Sequence, residues 1–478
     1  MNPVFDVKVL SDEEIDDIHQ ASLTTLEKVG VRIPHKRILS MMRDFGCEVD
    51  KERELVRFPS SMIEEIAKER EPREKQSVSR FKFYCTGQCT RALDLRTGEV
   101  RPATTRDLRE AAFLADVLPN IDFCPPVQTA AHPLFIPQDV PESVRDIHAF
   151  EIMLTVPSEP QGVELFSVES LDYFLKMSLV ANDGSMEKVR KNQLFRYELF
   201  CISPLQFSEK QLEIAVKMHD LDLKVEFGTG MPIAGLSAPV TLAGLLVLQD
   251  AEFWASMVLD KVLNLGIASY PYGPRVLDMR HGSTVCASPD LALLSIANAQ
   301  LQRHFGFPNR PPLFFYSNSK LPDIQTGLEK AYMAIFSLLA GWEGVYAAGV
   351  LGDGEIGSIV QLVIDDEIAT VVNHLLKGIE ISSETLSAKA IESVGIGGSF
   401  LASEHTRRNF RQLWMPELGV TKTVNAWTKD KENMLENAKK KAEAMLKEYR
   451  PRTRLDKEQI KEIRQIVELA DREIGTRA

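Results

Sequence analysis

The chain has 478 residues, 44% of them hydrophobic and 26% charged, with a formal net charge of −12. That length exceeds one small core and fits a large α/β domain with additions, or two to three domains. The composition excludes a disordered chain, and the acidic balance argues against nucleic acid, whose phosphates need a basic face.

The opening MNPVFDVKVLSDEEIDD has no basic start followed by an apolar core, so no secretory leader is read there. The six cysteines are scattered and are expected to be reduced thiols of a cytoplasmic protein. Ser11 and Glu14 form a capping box ahead of Ile15, Ile18, Ser22, Leu26 and Val29, which recur at helical spacing until Gly30. A second short helix carries Ile38, Leu39, Met42 and Phe45 and stops at Gly46. Ser61 and Glu64 suggest another capping box before Ile66 and Ala67. FKFYCTGQCTRALDLRTGEVRPAT, with β-rich pieces and Thr-Gly turns, reads as one or two hairpins. Residues 1–110 are therefore expected to be an N-terminal addition of helices and β-hairpins.

From about residue 120 the pattern changes. IDFCPPV, QGVELF, YELFCIS, LKVEFGTG, VLNLGIASY, PPLFFYS and EGVYAAGVLG alternate with helical stretches such as SEKQLEIAVKMHDL and DIQTGLEKAYMAIFSLLAG. Such alternation implies a parallel sheet with helical crossovers. The expected fold is an α/β, (β/α)8 TIM-type barrel over residues 111–425, its eighth strand sought within IEISSETLSAKAIESVGIGGSFL. APVTLAGLLVLQDAEFWASMVL is broken by Gln249, Asp250 and Glu252 and reads as a buried helix rather than a membrane span. Residues 426–478 form two charged helices with narrow apolar stripes, through Ala438 and Ala442 and through Ile463 and Val467. Each stripe needs a covering surface, either the barrel's own helices or another subunit.

Several chemistries find no motif. GTGMPIAG and GIGG lack the endings and spacings of phosphate-binding loops, so Gly228, Gly230 and Gly235 are read as loop glycines. Cys85 and Cys89 have no second close pair, so no metal site is predicted. His19 and His148 lie on predicted helices and lack the glycine of a corrinoid-binding D-x-H-x-x-G motif. No nucleophile–base set is visible, and no catalytic acid or base is assigned. IASYPYGPRVLDMRHG stands apart: a strand-like run gives way to two tyrosines, a Gly-Pro turn and a cluster of charges.

The succession ISPLQFSEKQLE, GMPIAGLSAPVTLAGLLVLQDAEFWASMVL, YPYGPRVLDMRHGSTVCASPDLALL, KLPDIQTGLEKAY, VIDDEI, GGSFLASEHT and WTKDKENMLENAKKKAEAML resembles the trimethylamine methyltransferase family over nearly the whole chain. The resemblance implies a (β/α)8 barrel that moves a methyl group from a methylamine to the Co(I) corrinoid of a separate cognate corrinoid protein. It also implies no permanently bound cofactor and a homo-oligomer, beside the no-membrane, cytoplasmic setting already read from the sequence. Members acting on trimethylamine carry pyrrolysine, whereas this sequence shows only standard residues. It thus resembles the branch acting on quaternary amines such as glycine betaine or proline betaine. Two alternatives stand beside this reading: a zinc/thiol-type barrel methyltransferase and a non-catalytic betaine-binding module.

A quaternary ammonium has no N–H and can be held by aromatic faces. Barrel enzymes build their sites at the C-terminal strand ends, where Phe227, Tyr270, Tyr272, Tyr316 and Tyr346 are expected. Arg275, Arg280 and His281 follow and could grip a betaine carboxylate. Core packing for the aromatics, and a local bridge between Asp278 and Arg275 or Arg280, are the competing readings. His405 is expected to be a buried histidine satisfied by backbone, and Asp365 and Asp366 to be helix N-terminal acids. Catalysis would rest on alignment and exclusion of water, because the leaving amine departs neutral without a proton.

Overall fold

A computed structural model describes residues 7–74, 78–123, 133–264, 267–268, 273–307 and 315–475; the side chains of 227–229 and 267–268 fall outside that description. The first helix is Asp12–Lys28, and the Ser11–Glu14 capping box is formed in both directions. The second, Lys36–Phe45, stops at Gly46, whose φ of 110° is left-handed. The third, Ser60–Lys68, departs from expectation. Its N-cap is Pro59 and no side chain caps it. The Ser61 hydroxyl already lies inside the first turn, two residues past the cap position.

The fold is α/β, with parallel strand pairs connected by helices. Gly344–Tyr346 pairs with Lys82–Tyr84, which pairs with Ile121–Asp122. Val163–Glu164 pairs with Phe195–Arg196, and the same stretch of chain continues as Glu198–Cys201 beside Glu226–Thr229 and then Ile267–Ala268. Every one of these pairings is parallel. Phe315 adjoins them, its N–H donating to Tyr346 O.

Two expectations about the sheet are corrected. FKFYC is no hairpin arm: Lys82–Tyr84 lies between two parallel neighbours, so this sheet reaches into the segment taken as an N-terminal addition. Only the next piece forms the hairpin, Arg91–Leu93 antiparallel to Val100–Pro102. The stretch 379–401 holds no strand; it is exposed and carries the short helix Ala388–Val394.

Helix Leu242–Leu263 is long and apolar enough to cross a membrane, yet 78% of its most apolar window is buried inside the protein, much of it against Asp12–Lys28. Asp250 explains how a buried helix keeps a charge there. Its carboxylate accepts from Ser22 Oγ at 2.5 Å and Trp254 Nε1 at 3.1 Å, and it pairs with His19 Nδ1 at 3.1 Å. The tail helices Met434–Lys447 and Lys457–Glu473 bury Ala438, Ala442, Ile463 and Val467 against helices of their own chain, Ile359–Leu376 and Val168–Ala181 among them.

Candidate functional site

A cavity of about 360 Å³ opens where the parallel strands end. Its wall includes Thr86 to Gln88, just past Lys82–Tyr84, and Glu164 to Phe166, at the end of Val163–Glu164. Tyr197, Glu198 and Phe200 come from the next stretch, Gly230 and Met231 follow Glu226–Thr229, and Tyr316 follows Phe315. Each of these contributors lies on or just past a strand, so the wall is built at strand ends. Gly230 must be glycine there, since a Cβ would sit 2.7 Å from Cys201 O. Gly235 turns the chain away at a φ of +86°.

The wall is charged where the sequence reads as apolar strand. Glu164 and Glu198 are buried, and both line the cavity. Glu198 stands opposite Glu226 in the strand register, a like-charge pairing that costs stability by itself. Arg196 resolves it: two residues before Glu198, it shares that face and reaches Glu226 Oε2 at 2.6 Å and Glu198 Oε2 at 2.9 Å. Glu164 accepts from Gln88 Nε2 at 2.8 Å and is the register partner of Arg196. Two carboxylates thus share one guanidinium, and a third, Glu164, stands beside it on the neighbouring strand. Tyr197 donates its hydroxyl to Gln211 O at 3.1 Å, and burial pushes its phenol pKa up, so the ring stays neutral.

The residues expected at the site are scattered by the fold. Tyr316 lines the cavity. Arg275 is buried behind it, 4.8 Å from the Tyr316 ring centroid and 3.5 Å from Asp353 Oδ1. A guanidinium over one face of Tyr316 draws on the same π density a substrate cation would use, so this ring is a weakened cation holder. Asp353 sits in a tight turn that also pins the strand end, donating its N–H to Ser317 O and that of Gly352 to Ser319 O. Arg280 and His281 line no part of the cavity described here. Both are exposed, at 83% and 71%, and both bond Asp278. Arg280 and His281 hold that carboxyl far below its usual range. The local bridge, not a carboxylate grip, accounts for them. Tyr346 is wholly buried and stacks on Tyr84 with centroids 5.2 Å apart, which is core packing. Phe227 has no described side chain, and Tyr270 and Tyr272 lie outside the described residues.

Asp365 and Asp366 are not helix N-terminal acids. They sit in the middle of Ile359–Leu376 and are buried. Asp365 pairs with the equally buried Lys330 at 2.6 Å and accepts from Gly349 N at 2.7 Å. Asp366 accepts from both the backbone and side-chain nitrogens of Asn120. His405 is half-buried, its ring bonded to the Ser387 and Asn409 side chains rather than to backbone. Cys85 and Cys89 are buried, and burial pushes the Cys85 thiol up to about 12. A second cavity of similar size lies between the Arg91–Pro102 hairpin and helix Met434–Lys447. Its Arg101 is tied to Asp94 and Asp107 and its Arg106 to Glu110.

The family model described as trimethylamine methyltransferase (MTTB) matches residues 1–475. The chain belongs to that family. Trimethylamine methyltransferase MttB of Methanosarcina barkeri (strain Fusaro) is 28% identical over 98% of this chain and 96% of that protein. Glycine betaine methyltransferase of Desulfitobacterium hafniense (strain Y51) is 25% identical, with 93% of each covered. The crystal structure of monomethylamine methyltransferase MtmB from Methanosarcina barkeri aligns over 92% of this chain and 88% of that one, at a TM-score of 0.44 and 12% identity.

For this member of the trimethylamine methyltransferase family, the cavity's acids went unread in the sequence although a signal existed. Glu164 in GVELF, Arg196 and Glu198 in FRYELF and Glu226 in KVEFG each interrupt a run of strand formers. A charge inside a buried strand costs stability unless it is paired or used.

Proposed function

We propose that the chain transfers a methyl group from a quaternary methylated amine to the Co(I) corrinoid of a separate protein, at the strand-end cavity of a (β/α)8 barrel. One observation carries the reading: a cavity at the strand ends, walled by Glu164 and Glu198 and by the rings of Phe166, Tyr197 and Phe200. Carboxylates and aromatic faces hold a permanent cation that offers no hydrogen bond. Support for closure of the barrel comes from the pairing of Gly344–Tyr346 with Lys82–Tyr84, which joins the late part of the chain to the early part. The glycine betaine methyltransferase relative supports a quaternary methylated amine as the donor class.

The corrinoid supplies the nucleophile: its electron pair forms the bond to the methyl carbon as the C–N bond breaks, and the amine leaves neutral. The chain's own residues bind and orient. Phe166 and Met231, exposed and apolar at the mouth, suit contact with a macrocycle presented by another protein. Glu164 and Glu198 fix the nitrogen inside. Positive charge on that nitrogen falls during transfer, so the acids bind the ground state more tightly than the transition state. Their contribution is therefore affinity, and the rate comes from alignment and a dry site. Among the described residues no three His, Cys, Asp or Glu side chains are grouped as a metal site needs, which makes the zinc/thiol alternative the weaker one.

The test supplies purified protein with a reduced corrinoid protein and a panel of quaternary amines, following visible absorbance as Co(I) is consumed. Consumption that requires both this chain and one amine is expected. No reaction across the panel with a competent corrinoid protein would falsify the proposal.

A further inference from the structure

We infer that Glu164 and Glu198 set the substrate class: the site takes a quaternary amine without a carboxylate, of the choline or tetramethylammonium kind, in preference to a short betaine. The inference rests on the cavity assigned above as the amine site and names what that site selects.

Its basis is the charge of the wall. Glu164 and Glu198 are each more than nine-tenths buried and line the cavity. The guanidinium beside them, Arg196, is bonded to Glu226 and Glu198 and is outside the described lining. Lys210 is the one cation among the described lining residues; it is exposed, so water screens it. The three cations the sequence offered to a substrate carboxylate are engaged elsewhere. Arg275 stands behind Tyr316 against Asp353, and Arg280 and His281 are held by Asp278 on an exposed turn.

A cavity of 360 Å³ is about 9 Å across, comparable with the distance over which physiological salt screens charge. A trimethylammonium group inside it stays within reach of both acids. In glycine betaine the carboxylate is one carbon from the nitrogen and cannot leave the field that attracts the cation. Attraction and repulsion then largely cancel. Choline carries the same cation with a neutral hydroxyl, and tetramethylammonium carries it alone.

Calorimetric titration of the full chain with choline, tetramethylammonium and glycine betaine at matched ionic strength tests this, with no corrinoid present. Choline and tetramethylammonium are expected to bind roughly ten-fold or more tightly than glycine betaine. Glu164→Gln should shrink that ratio several-fold by weakening the two carboxylate-free ligands. Glu198→Gln should do the same; if loss of the Arg196 bond prevents folding, Glu164→Gln alone decides. Glycine betaine binding as tightly as choline overturns the inference, as does a ratio unmoved by Glu164→Gln or no binding of any ligand. Preference for choline with no methyl transfer to a corrinoid protein keeps the inference and removes the transfer reading. Transfer from a tightly bound glycine betaine does the reverse.

Discussion

Arg196 and Arg280 each sit beside acidic partners, and they could hardly be used more differently. Arg196 is 2% exposed, interrupts a strand, and bonds two carboxylates that face each other across the sheet. Arg280 is 83% exposed, sits in a turn, and bonds Asp278 two residues away. Charges crowded into a turn can neutralise one another locally and need nothing from the rest of the molecule. Charges planted in a buried strand cannot, so they must find partners from distant elements or hold something else. The conspicuous cluster was the local one; the cavity's chemistry came from isolated charges in apolar surroundings.

That contrast can be broken by experiment. Arg196→Met should have the largest effect, leaving Glu198 and Glu226 buried face to face. A loss of about 3–5 kcal/mol in urea unfolding is expected for removing one partner of a buried pair. A variant as stable as the parent would show that the guanidinium does not hold the sheet together. Glu252 sharpens the comparison, as a buried acid held by Ser203 Oγ at 2.7 Å and Leu205 N at 3.1 Å. Burial pushes its carboxyl from 4.5 up to about 7. The folded group keeps its proton to higher pH than the unfolded one does. Its stabilising contribution is therefore full below pH 4.5 and is lost as pH rises through 7. Glu252→Gln should remove that slope, worth at most about 3 kcal/mol, and denaturant midpoints across this range would reveal it. Parallel pH profiles for the two proteins would contradict the shift. Arg280→Ala should change least, with an unaltered melting temperature and unaltered amine affinity. A drop in the affinity of a betaine alone would return Arg280 to the site.

Helix ends were legible where one side chain decides them. Ser11 with Glu14, and Gly46 at positive φ, act within a single turn of chain. Ser61 misled because Pro59 had already fixed the start of its helix. FKFYC was legible as β structure but not as a member of the parallel sheet, because its neighbours, 344–346 and 121–122, lie far away in sequence and no turn announces them. Tyr346 and Tyr316 look alike at the ends of their runs. Only their surroundings separate a stacked core ring from one on the cavity wall.

The sequence by itself determined the family and those helices whose ends are set by local caps, because periodicity, caps and turns act between near neighbours. Tertiary structure alone decided which charges share a wall. Parallel pairing sets Glu164, Arg196, Glu198 and Glu226 side by side from separate strands, and the field they make depends on burial and distance, which no spacing along the chain encodes.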